Sequence, residues 1–264
     1  MAIYSAIAQL EQSGEHGALC TIIRSRGSTP RHQGSKMLVY ADGRFTGTVG
    51  GGEIESRVLR EALAAMQDGQ SRLLSYDMVN PQEGDPGVCG GTVEVFVEPV
   101  IPRPLVLVVG GGHVGKAVAH LARWLNFRVA VSDDRVEFCT PEANPDADVF
   151  LPIPMAEIPG QIKITPQTYI ILTTRGVSVD IVGLPGLLDS PAAYLGVIGS
   201  KRRWALTRKA LIEAGISEEK INRVVSPIGL ELNAETPEEI AVSIMAEIIM
   251  LRNGGSGRPM RATD

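Results

Sequence analysis

An aliphatic run that ends in three glycines constrains this chain more than any other part of its sequence. Residues Leu105–Val109 run directly into Gly110-Gly-Gly-His-Val-Gly115. Gly110, Gly112 and Gly115 have the spacing G-x-G-x-x-G, which allows a tight strand-to-helix turn, close approach of phosphates to the backbone, and close packing of the helix on the strand. The free N–H groups and the positive dipole end of such a helix favour an anion. The stretch therefore predicts a βα unit with an anion site at its turn.

The residues that follow fit a nucleotide-binding βαβ unit. Apolar positions recur on one helical face from Val114 to Leu125, and a second apolar run, Val129–Val131, comes next. Asp133 and Asp134 end that run about 20 positions after the glycines, where dinucleotide-binding units carry the acidic residue for the ribose hydroxyls. The alternative is an ordinary surface turn, because the fold alone does not establish which ligand binds.

Composition excludes several classes of protein. The chain has 264 residues, 44% of them hydrophobic, which is enough for two modest domains with real cores. Its net charge of −5 disfavours a nucleic-acid partner, which needs a basic face. No run approaches the ~18 apolar residues of a membrane span, and residues 1–13 read as an amphipathic helix rather than a signal peptide. The three cysteines are far apart and form no C-x-x-C, so we expect a reducing, cytoplasmic location.

A proline-rich segment, Glu98–Pro104, predicts a stiff linker and a domain boundary near residue 102. We expect an N-terminal α+β domain over residues 1–102, with strands at 19–23, 36–40, 44–49, 73–76 and 92–97. We expect a polar loop with three arginines over Arg24–Arg31 and a turn-rich stretch over residues 80–88. Residues 103–253 alternate strands and helices, which indicates a Rossmann-like, doubly wound and mostly parallel sheet. The fold class is therefore α/β, and residues 254–264 are expected to form a disordered tail.

The predicted N-terminal domain has two glycine-rich loops of its own. Gly50, Gly51 and Gly52 precede Glu53 at the start of a predicted helix, and their exposed amides suit an oxyanion or a flat ring. Nearby arginines, Arg31 among them, favour that ligand-binding interpretation over a plain tight turn. In the second loop, Cys89 stands beside Gly90 and Gly91, either as an approachable thiol or as a small buried residue.

Two further strand ends in the C-terminal domain carry polar residues. Thr174 and Arg175 follow a strand predicted over Tyr169–Thr174, at the edge of the sheet where ligands of open α/β folds bind. After the strand predicted over Tyr194–Ile198, Gly199 and Ser200 open a helix whose first turn carries Lys201, Arg202 and Arg203. Cations there oppose the helix dipole, which indicates either an anionic ligand or a solvated basic turn.

These motifs together resemble the XdhC/CoxI family, accessory proteins of xanthine dehydrogenases and related molybdenum hydroxylases. The resemblance runs from about residue 5 to residue 250 and rests on an ordered series of stretches. These stretches are Gly27-Ser-Thr-Pro-Arg31, Lys36–Val39, Asp42-Gly43, Gly47–Gly52, Cys89–Gly91, Gly110–His113, Asp133–Arg135, Tyr194–Arg203, Pro227–Gly229 and Glu235–Ala241.

The resemblance implies a chaperone of cofactor maturation rather than an enzyme with a catalytic residue of its own. Such proteins bind molybdenum cofactor (molybdopterin), protect it while a cysteine desulfurase supplies sulfur to the metal, and pass it to an apo molybdenum hydroxylase. A soft, sulfur-bound metal favours thiolate, so Cys89 is the candidate contact to molybdenum. We also expect this protein to be a cytoplasmic homodimer. The candidate cofactor-binding residues are Arg31, Gly50, Gly51, Gly52, Glu53, Cys89, Gly90, Gly91, Gly110, Gly112, His113, Gly115, Asp133, Asp134, Arg135, Thr174, Arg175, Gly199, Ser200, Lys201 and Arg202.

Two other functions stay open at this point. The Rossmann-like domain is also compatible with an NAD(P)-dependent oxidoreductase, or with a regulator that senses a nucleotide without chemistry of its own. We further expect the loops at Gly50–Gly52 and Gly110–Gly115 to face each other across a cleft between the domains.

Overall fold

The structure is a computed structural model that describes residues 2–78 and 89–261. It divides into two compact units, Met1–Pro102 and Arg103–Asp264. The turn-rich stretch predicted over residues 80–88 lies outside the described residues. That the two units act as separate functional domains stays a prediction, as do the disordered tail and the cleft between the domains.

The first unit is built on an antiparallel sheet. Its strands are β1 (Gly17–Arg26), β2 (Lys36–Tyr40), β3 (Phe45–Gly47), β4 (Arg72–Asp77) and β5 (Thr92–Val100), in the spatial order β3-β2-β1-β5-β4. The hairpin turn between β2 and β3 lies at the dipeptide Asp42-Gly43. The loops after β1 and β3 and the loop before β5 therefore all lie at one end of this sheet.

Two helices pack on this sheet. Helix α2 (Gly52–Asp68) buries Ile54, Val58 and Ala62 against the alternating inward side chains of β1 and β5, which form the main core of this unit. Helix α1 (Ala2–Ser13) places Ala6 and Leu10 against Leu38 in a smaller cluster. Each helix thus buries the apolar stripe that its sequence periodicity predicts.

The second unit is a parallel α/β sheet. Its strands are β6 (Leu105–Val109), β7 (Arg128–Ser132), β8 (Val149–Leu151), β9 (Thr168–Leu172) and β10 (Tyr194–Val197), in the order β10-β9-β6-β7-β8. The chain order therefore reverses between β6 and β9, and such a switch point opens a crevice at the carboxyl ends of the strands. The Rossmann-like architecture expected from the sequence is confirmed.

Helices cover both faces of this parallel sheet, so its central strands are buried throughout. Helices α3 (His113–Trp124) and α8 (Pro237–Asn253) pack on one face. The other face carries the 3₁₀ helix Met155–Gly160 and residues of four further helices. These helices are α4 (Val177–Gly183), α5 (Pro185–Leu188), α6 (Lys201–Glu213) and α7 (Glu218–Ile221).

Several predicted strand boundaries were wrong, and the two extended strands continue because residues far apart in the sequence pair with each other. Strand β1 continues through Arg24 to Arg26, because a bulge after Ile22 restores its pairing with β5 and places Arg24 opposite Glu94. The loop predicted over Arg24–Arg31 is therefore shorter. Strand β3 stops at Gly47. Strand β5 continues to Val100, because Pro99 and Val100 still pair with the first residues of β1.

No helix in the described part of the chain is long and apolar enough to cross a membrane.

Candidate functional site

The glycine turn of the second unit, residues Gly110–Gly112, has the geometry that its spacing predicts. Gly110 has a φ of +112°, and a Cβ on it would lie 2.7 Å from the carbonyl oxygen of Thr173. A Cβ on Gly115 would lie 1.9 Å from the carbonyl oxygen of Gly110, so α3 packs on the strand end only because this residue has no side chain. A Cβ on Gly112 would meet no atom within 4 Å, so space at this backbone is open.

Position 111 also requires a glycine, although the G-x-G-x-x-G pattern allows any residue there. A Cβ there would lie 2.1 Å from the carbonyl oxygen of Phe138. Its amide donates to Asp133 Oδ2 at 2.9 Å, and its carbonyl accepts from Asn144 Nδ2 at 3.1 Å. The sequence did not indicate a role for Gly111 or Asn144. Gly111 is 22 positions from Asp133 and 33 positions from Asn144 along the chain, so no local pattern reveals these contacts.

The carboxylate of Asp133 is hydrogen-bonded by other groups of the protein. Its side chain is 2% exposed, and it binds Arg135 through two hydrogen bonds, Nε to Oδ1 at 2.9 Å and Nη2 to Oδ2 at 2.8 Å. The amides of Gly111 and Arg135 donate to the same carboxylate. Of the two aspartates proposed for ribose hydroxyls, Asp133 therefore holds the glycine turn in place, and Asp134 is the more accessible acceptor.

Asp134 and Arg175 form an ion pair across the end of β6. Arg175 Nη1 and Nη2 donate to Asp134 Oδ1 and Oδ2 at 2.6 and 2.8 Å. Asp134 follows β7 and Arg175 follows β9, and β6 lies between these strands. The hydrogen bonds from Arg175 lower the pKa of Asp134 from its usual 3.8 to about 2. Both side chains are partly exposed, at 39% and 48%.

Thr174 and the basic turn after β10 belong to a buried network. The Thr174 hydroxyl donates to Asp180 Oδ1 and accepts from Arg203 Nη2 at 2.6 Å. Asp180 is fully buried, and Arg203 donates to its Oδ2 from Nη2 at 2.7 Å. A Cβ on Gly199 would lie 2.6 Å from Arg203 Cδ, so this glycine makes room for the arginine. The network ties the loop after β9 to α4 and α6.

The other residues of the basic turn remain at the surface. Ser200 is the N-cap of α6 and accepts the Arg203 amide at 3.2 Å. Lys201 and Arg202 are exposed, and no hydrogen bond or ion pair joins their side chains to another described residue. Arg203, which the candidate set omitted, is therefore the structural member of this cluster.

A cavity of about 250 Å³ opens at the carboxyl ends of β6, β7 and β9; we call it the edge cavity. Its polar lining comes from Asp133, Asp134, Arg135 and Arg175, together with Thr174. Its apolar lining includes Val109, Ile153, Met155, Ala156, Val179 and Val182. The structure thus brings Gly110 and five of the other predicted site residues around one concave space.

His113 lies outside the edge cavity. It is exposed in the first turn of α3 and lines a separate groove of about 400 Å³ with Lys116, His120 and Asp146. His120 Nδ1 lies 2.9 Å from Asp146 Oδ2. Within residues 2–78 and 89–261, no group of three or more His, Cys, Asp or Glu side chains is placed to hold a metal ion.

In the first unit, three loops meet at one end of the sheet: Gly27–Arg31, Val49–Gly52 and Cys89–Gly91. We call them the three-loop cluster. A Cβ on Gly91 would lie 2.3 Å from the Ser28 carbonyl oxygen, and one on Gly50 would lie 3.4 Å from Pro30 Cβ. At position 91 the backbones can approach this closely only because the residue is a glycine.

Glu55 shapes the second of these loops. Its Oε1 accepts from the Thr48 hydroxyl and from the Val49 amide at 3.2 Å. Burial raises the pKa of Glu55, but hydrogen bonds from Thr48 and from the amides of Val49, Gly50 and Gly51 lower it below its usual value overall. Glu53 instead pairs with Arg57 on its own helix at 3.0 Å. Among the described residues, no side chain caps α2, so the first-turn amides of this helix have no capping acceptor there.

The rest of the three-loop cluster offers cations and a thiol. Arg26 and Arg31 are exposed and have no hydrogen-bond or ion-pair partner for their side chains in the described part of the chain. Cys89 is exposed, whereas Cys20 and Cys139 are buried. Of the two interpretations of Cys89, the approachable thiol is thus the one that the structure supports.

The fold and these sites define a two-unit α/β protein with a Rossmann-type sheet and a separate antiparallel unit. Residues 106–248 match the model of the XdhC Rossmann domain, and residues 10–77 match the model of the XdhC and CoxI family. The chain belongs to the XdhC and CoxI family, as its motifs predicted.

Three curated relatives extend this finding. The uncharacterised protein YqeB of Escherichia coli is 37% identical over 97% of this chain, which spans only 47% of the length of YqeB. A Bacillus subtilis protein named as a probable xanthine dehydrogenase subunit is 23% identical over 94% of this chain and 97% of its own. The molybdenum cofactor insertion chaperone PaoD of E. coli is 23% identical over 91% of this chain and 85% of its own.

One solved structure supports the fold. The crystal structure of a xanthine dehydrogenase from Bacillus halodurans is 22% identical, with a TM-score of 0.52, over 98% of this chain and 97% of that chain. At this identity the similarity shows the fold alone.

Proposed function

We propose that this protein binds molybdenum cofactor, supports its sulfuration and inserts it into an apo molybdenum hydroxylase of the xanthine dehydrogenase type. Membership of the XdhC and CoxI family supports this proposal, as do a relative named as a molybdenum cofactor insertion chaperone and one named as a probable xanthine dehydrogenase subunit. The cofactor is cargo in this account, and the protein holds it without a catalytic residue of its own.

The observation that carries the proposal is the three-loop cluster. Molybdenum cofactor combines a phosphate, a flat polar pterin and a metal bound through sulfur. Arg26 and Arg31 with the first-turn amides of α2 suit the phosphate. The open space beside the backbone of Gly51, Gly52 and Gly90 suits the ring, because an added Cβ at these positions meets no atom within 4 Å. The exposed thiol of Cys89 suits a soft metal.

In this proposal Cys89 contacts molybdenum while the cofactor receives sulfur that originates from a cysteine desulfurase. The glycine-lined surface keeps the pterin against the protein, and the arginines hold the phosphate. The desulfurase partner, the homodimer and the cytoplasmic location belong to the proposal.

A second candidate function rests on the edge cavity. An NAD(P)-dependent oxidoreductase or a nucleotide-sensing regulator would place its nucleotide at this cavity beside Gly110. The occupied carboxylate of Asp133 disfavours the usual recognition of NAD ribose hydroxyls by this residue.

One titration separates these functions. The purified chain is titrated with molybdenum cofactor, NADH and NADPH, and binding is followed by absorbance and fluorescence. We expect saturable binding of the cofactor and no turnover of NADH or NADPH with oxidisable or reducible small molecules. Substrate-dependent consumption of NADH or NADPH would contradict the chaperone proposal.

Two variants locate the cofactor. Arg31→Gln is expected to weaken cofactor binding about tenfold, because it removes a charge-assisted contact to phosphate. Arg44→Gln is the matched control, since Arg44 lies at the hairpin turn and pairs with Asp42. Cys89→Ser is expected to change the absorbance of the bound metal centre. A Cys89→Ser protein with unchanged spectrum and affinity would remove the thiolate from the account.

A further inference from the structure

The exposed side of helix α6 carries an inference that goes beyond the proposed function and does not rest on it. This helix buries Thr207 and Leu211 on the side that packs on the second unit. Its other side is exposed and repeats at helical spacing. We call this side the outer face of α6, and its members are Arg202, Ala205, Leu206 and Lys209.

Helix α6 is a basic element in an acidic chain. It has five basic residues and one acidic residue in 13 positions, whereas the whole chain has 25 basic and 30 acidic residues. Arg203 binds Asp180 Oδ2 at 2.7 Å, and Arg208 binds Glu218 at 2.6 Å, so these two charges are used within the protein. The side chains of the first two cations of the helix have no partner among the described residues.

These free cations do not help the helix to form. Lys201 and Arg202 lie in a first turn without any acidic residue, where positive charge opposes the helix dipole. Lys209 Nζ lies 3.7 Å from Glu213, with lysine before glutamate, which is the weaker order for such a pair. An arrangement that disfavours its own helix is expected where function requires it.

An apolar side chain lies among these cations. Leu206 is 53% exposed, and it comes one turn after Arg202 and one turn before Lys209. The short side chain of Ala205 lies beside it, so the backbone of another protein can approach the helix there. An apolar contact bordered by charged side chains is the usual arrangement of a protein interface.

The composition of this face favours a protein over a membrane or a nucleic acid. Leu206 is the one large apolar side chain that α6 exposes, whereas a membrane-bound helix inserts a whole apolar face. Glu213 and Glu218 lie beside Lys209 and Arg208, so they would repel the phosphates of a nucleic acid. Carboxylates of a partner can instead be placed singly against the free cations.

We propose that the outer face of α6 docks an acidic amphipathic segment of a partner protein. An apolar side chain of that segment packs against Leu206 and Ala205. Its carboxylates pair with Lys201, Arg202 and Lys209. Arg203 stays on Asp180 and fixes α6 to α4, so the docking face is rigid before the partner arrives.

The test uses a labelled synthetic peptide of about 20 residues, long enough to form a helix. Glutamates and leucines follow helical spacing in this peptide, and a second peptide has lysines in place of the glutamates. Fluorescence anisotropy with the full chain is expected to show saturable binding of the acidic peptide alone. Raising the ionic strength to about 0.5 M is expected to weaken this binding at least about fivefold, because salt screens exposed charges.

A charge reversal separates docking from a structural role. The double variant Lys201→Glu, Arg202→Glu is expected to bind the acidic peptide at least about tenfold more weakly and to gain binding of the lysine peptide. Its thermal unfolding midpoint is expected to rise, because glutamates in the first turn favour the helix dipole. The matched control, Arg44→Glu with Arg60→Glu, reverses two exposed cations of the first unit and is expected to leave peptide binding unchanged.

A second variant tests the apolar contact. Leu206→Ser is expected to weaken binding of the acidic peptide and to leave its salt dependence unchanged, because no charge is removed.

The inference is overturned if the acidic peptide fails to bind at millimolar concentration, or if the double reversal leaves its affinity unchanged. Tighter binding of phosphatidylserine vesicles or of duplex DNA than of the acidic peptide would also overturn it. Loss of molybdenum cofactor binding with peptide binding intact would contradict only the proposed function.

Discussion

Individual glycines explain why the chain turns sharply at residue 110. Gly115→Ala would place a Cβ 1.9 Å from the Gly110 carbonyl oxygen, whereas Gly112→Ala would meet no atom within 4 Å. We expect Gly115→Ala to lower the free energy of unfolding by about 3 kcal/mol through overpacking. Gly112→Ala, the matched control, should cost about 1 kcal/mol or less. Urea denaturation measures both, and equal losses would contradict the packing argument.

The two adjacent aspartates, Asp133 and Asp134, differ in their burial and in the groups that they bind. Asp133 is buried and accepts the Gly111 amide, whereas Asp134 is partly exposed. Asp133→Ala leaves Arg135 and a buried amide without their acceptor, so we expect a loss of about 3 kcal/mol in the free energy of unfolding. Asp134→Ala should cost about 1 kcal/mol or less, as exposed ion pairs do. Denaturant unfolding of both variants checks this, and a larger loss for Asp134→Ala would contradict it.

The ion pair with Arg175 also predicts a pH dependence. The pKa of Asp134 is about 2 in the folded chain and 3.8 ordinarily. Its folded pKa is the lower one, so the stabilisation is complete above pH 3.8 and is lost as the pH falls toward 2. A carbon NMR titration of the Asp134 carboxyl should give a midpoint near 2, and Arg175→Gln should raise it toward 3.8. A wild-type midpoint near 3.8 would contradict the pairing.

Helix α8 begins with a complete capping box. Thr236 Oγ1 accepts the Glu239 amide at 3.2 Å, and Glu239 Oε2 accepts the Thr236 amide at 3.1 Å. We expect Thr236→Ala to lower the free energy of unfolding by about 1 kcal/mol. Ser217→Ala is the matched control, because Ser217 makes no side-chain bond at the start of α7. Thermal or urea unfolding measures the difference, and equal effects would contradict the capping role.

Elements with local signals were predictable from the sequence. The βαβ unit depends on neighbouring residues, and the structure confirms it. The turn at Asp42-Gly43 and the capping box of α8 likewise join residues that are close in the sequence. The end of β1 was not predictable in this way. Arg24 lies in a strand because Glu94 faces it 70 positions later, and no local pattern carries that pairing.

The site was predictable in part for the same reason. The sequence indicated Gly110, Asp134 and Arg175 as separate motifs at strand ends, and parallel topology brings them to one edge. It did not indicate that Arg175 pairs with Asp134 or that Arg203 reaches Asp180. These contacts depend on the positions of side chains across neighbouring strands and helices, which spacing alone does not determine.

In the molecule as a whole, the two units offer different surfaces to a ligand. The three-loop cluster in residues 1–102 has free cations, open backbone and an exposed thiol. The edge cavity in the second unit is lined by apolar side chains and by two aspartate–arginine pairs. A protein that carries a cofactor needs the first of these features, and a nucleotide suits the second.

The most direct test of the central proposal is the equilibrium affinity of the full chain for molybdenum cofactor, measured for wild type, Arg31→Gln and Arg175→Gln. We predict saturable binding by wild type, a loss of about tenfold in Arg31→Gln and no change in Arg175→Gln. Absence of saturable binding by the wild-type chain, or a loss in Arg175→Gln with Arg31→Gln unaffected, would contradict the assignment of the cofactor to the three-loop cluster.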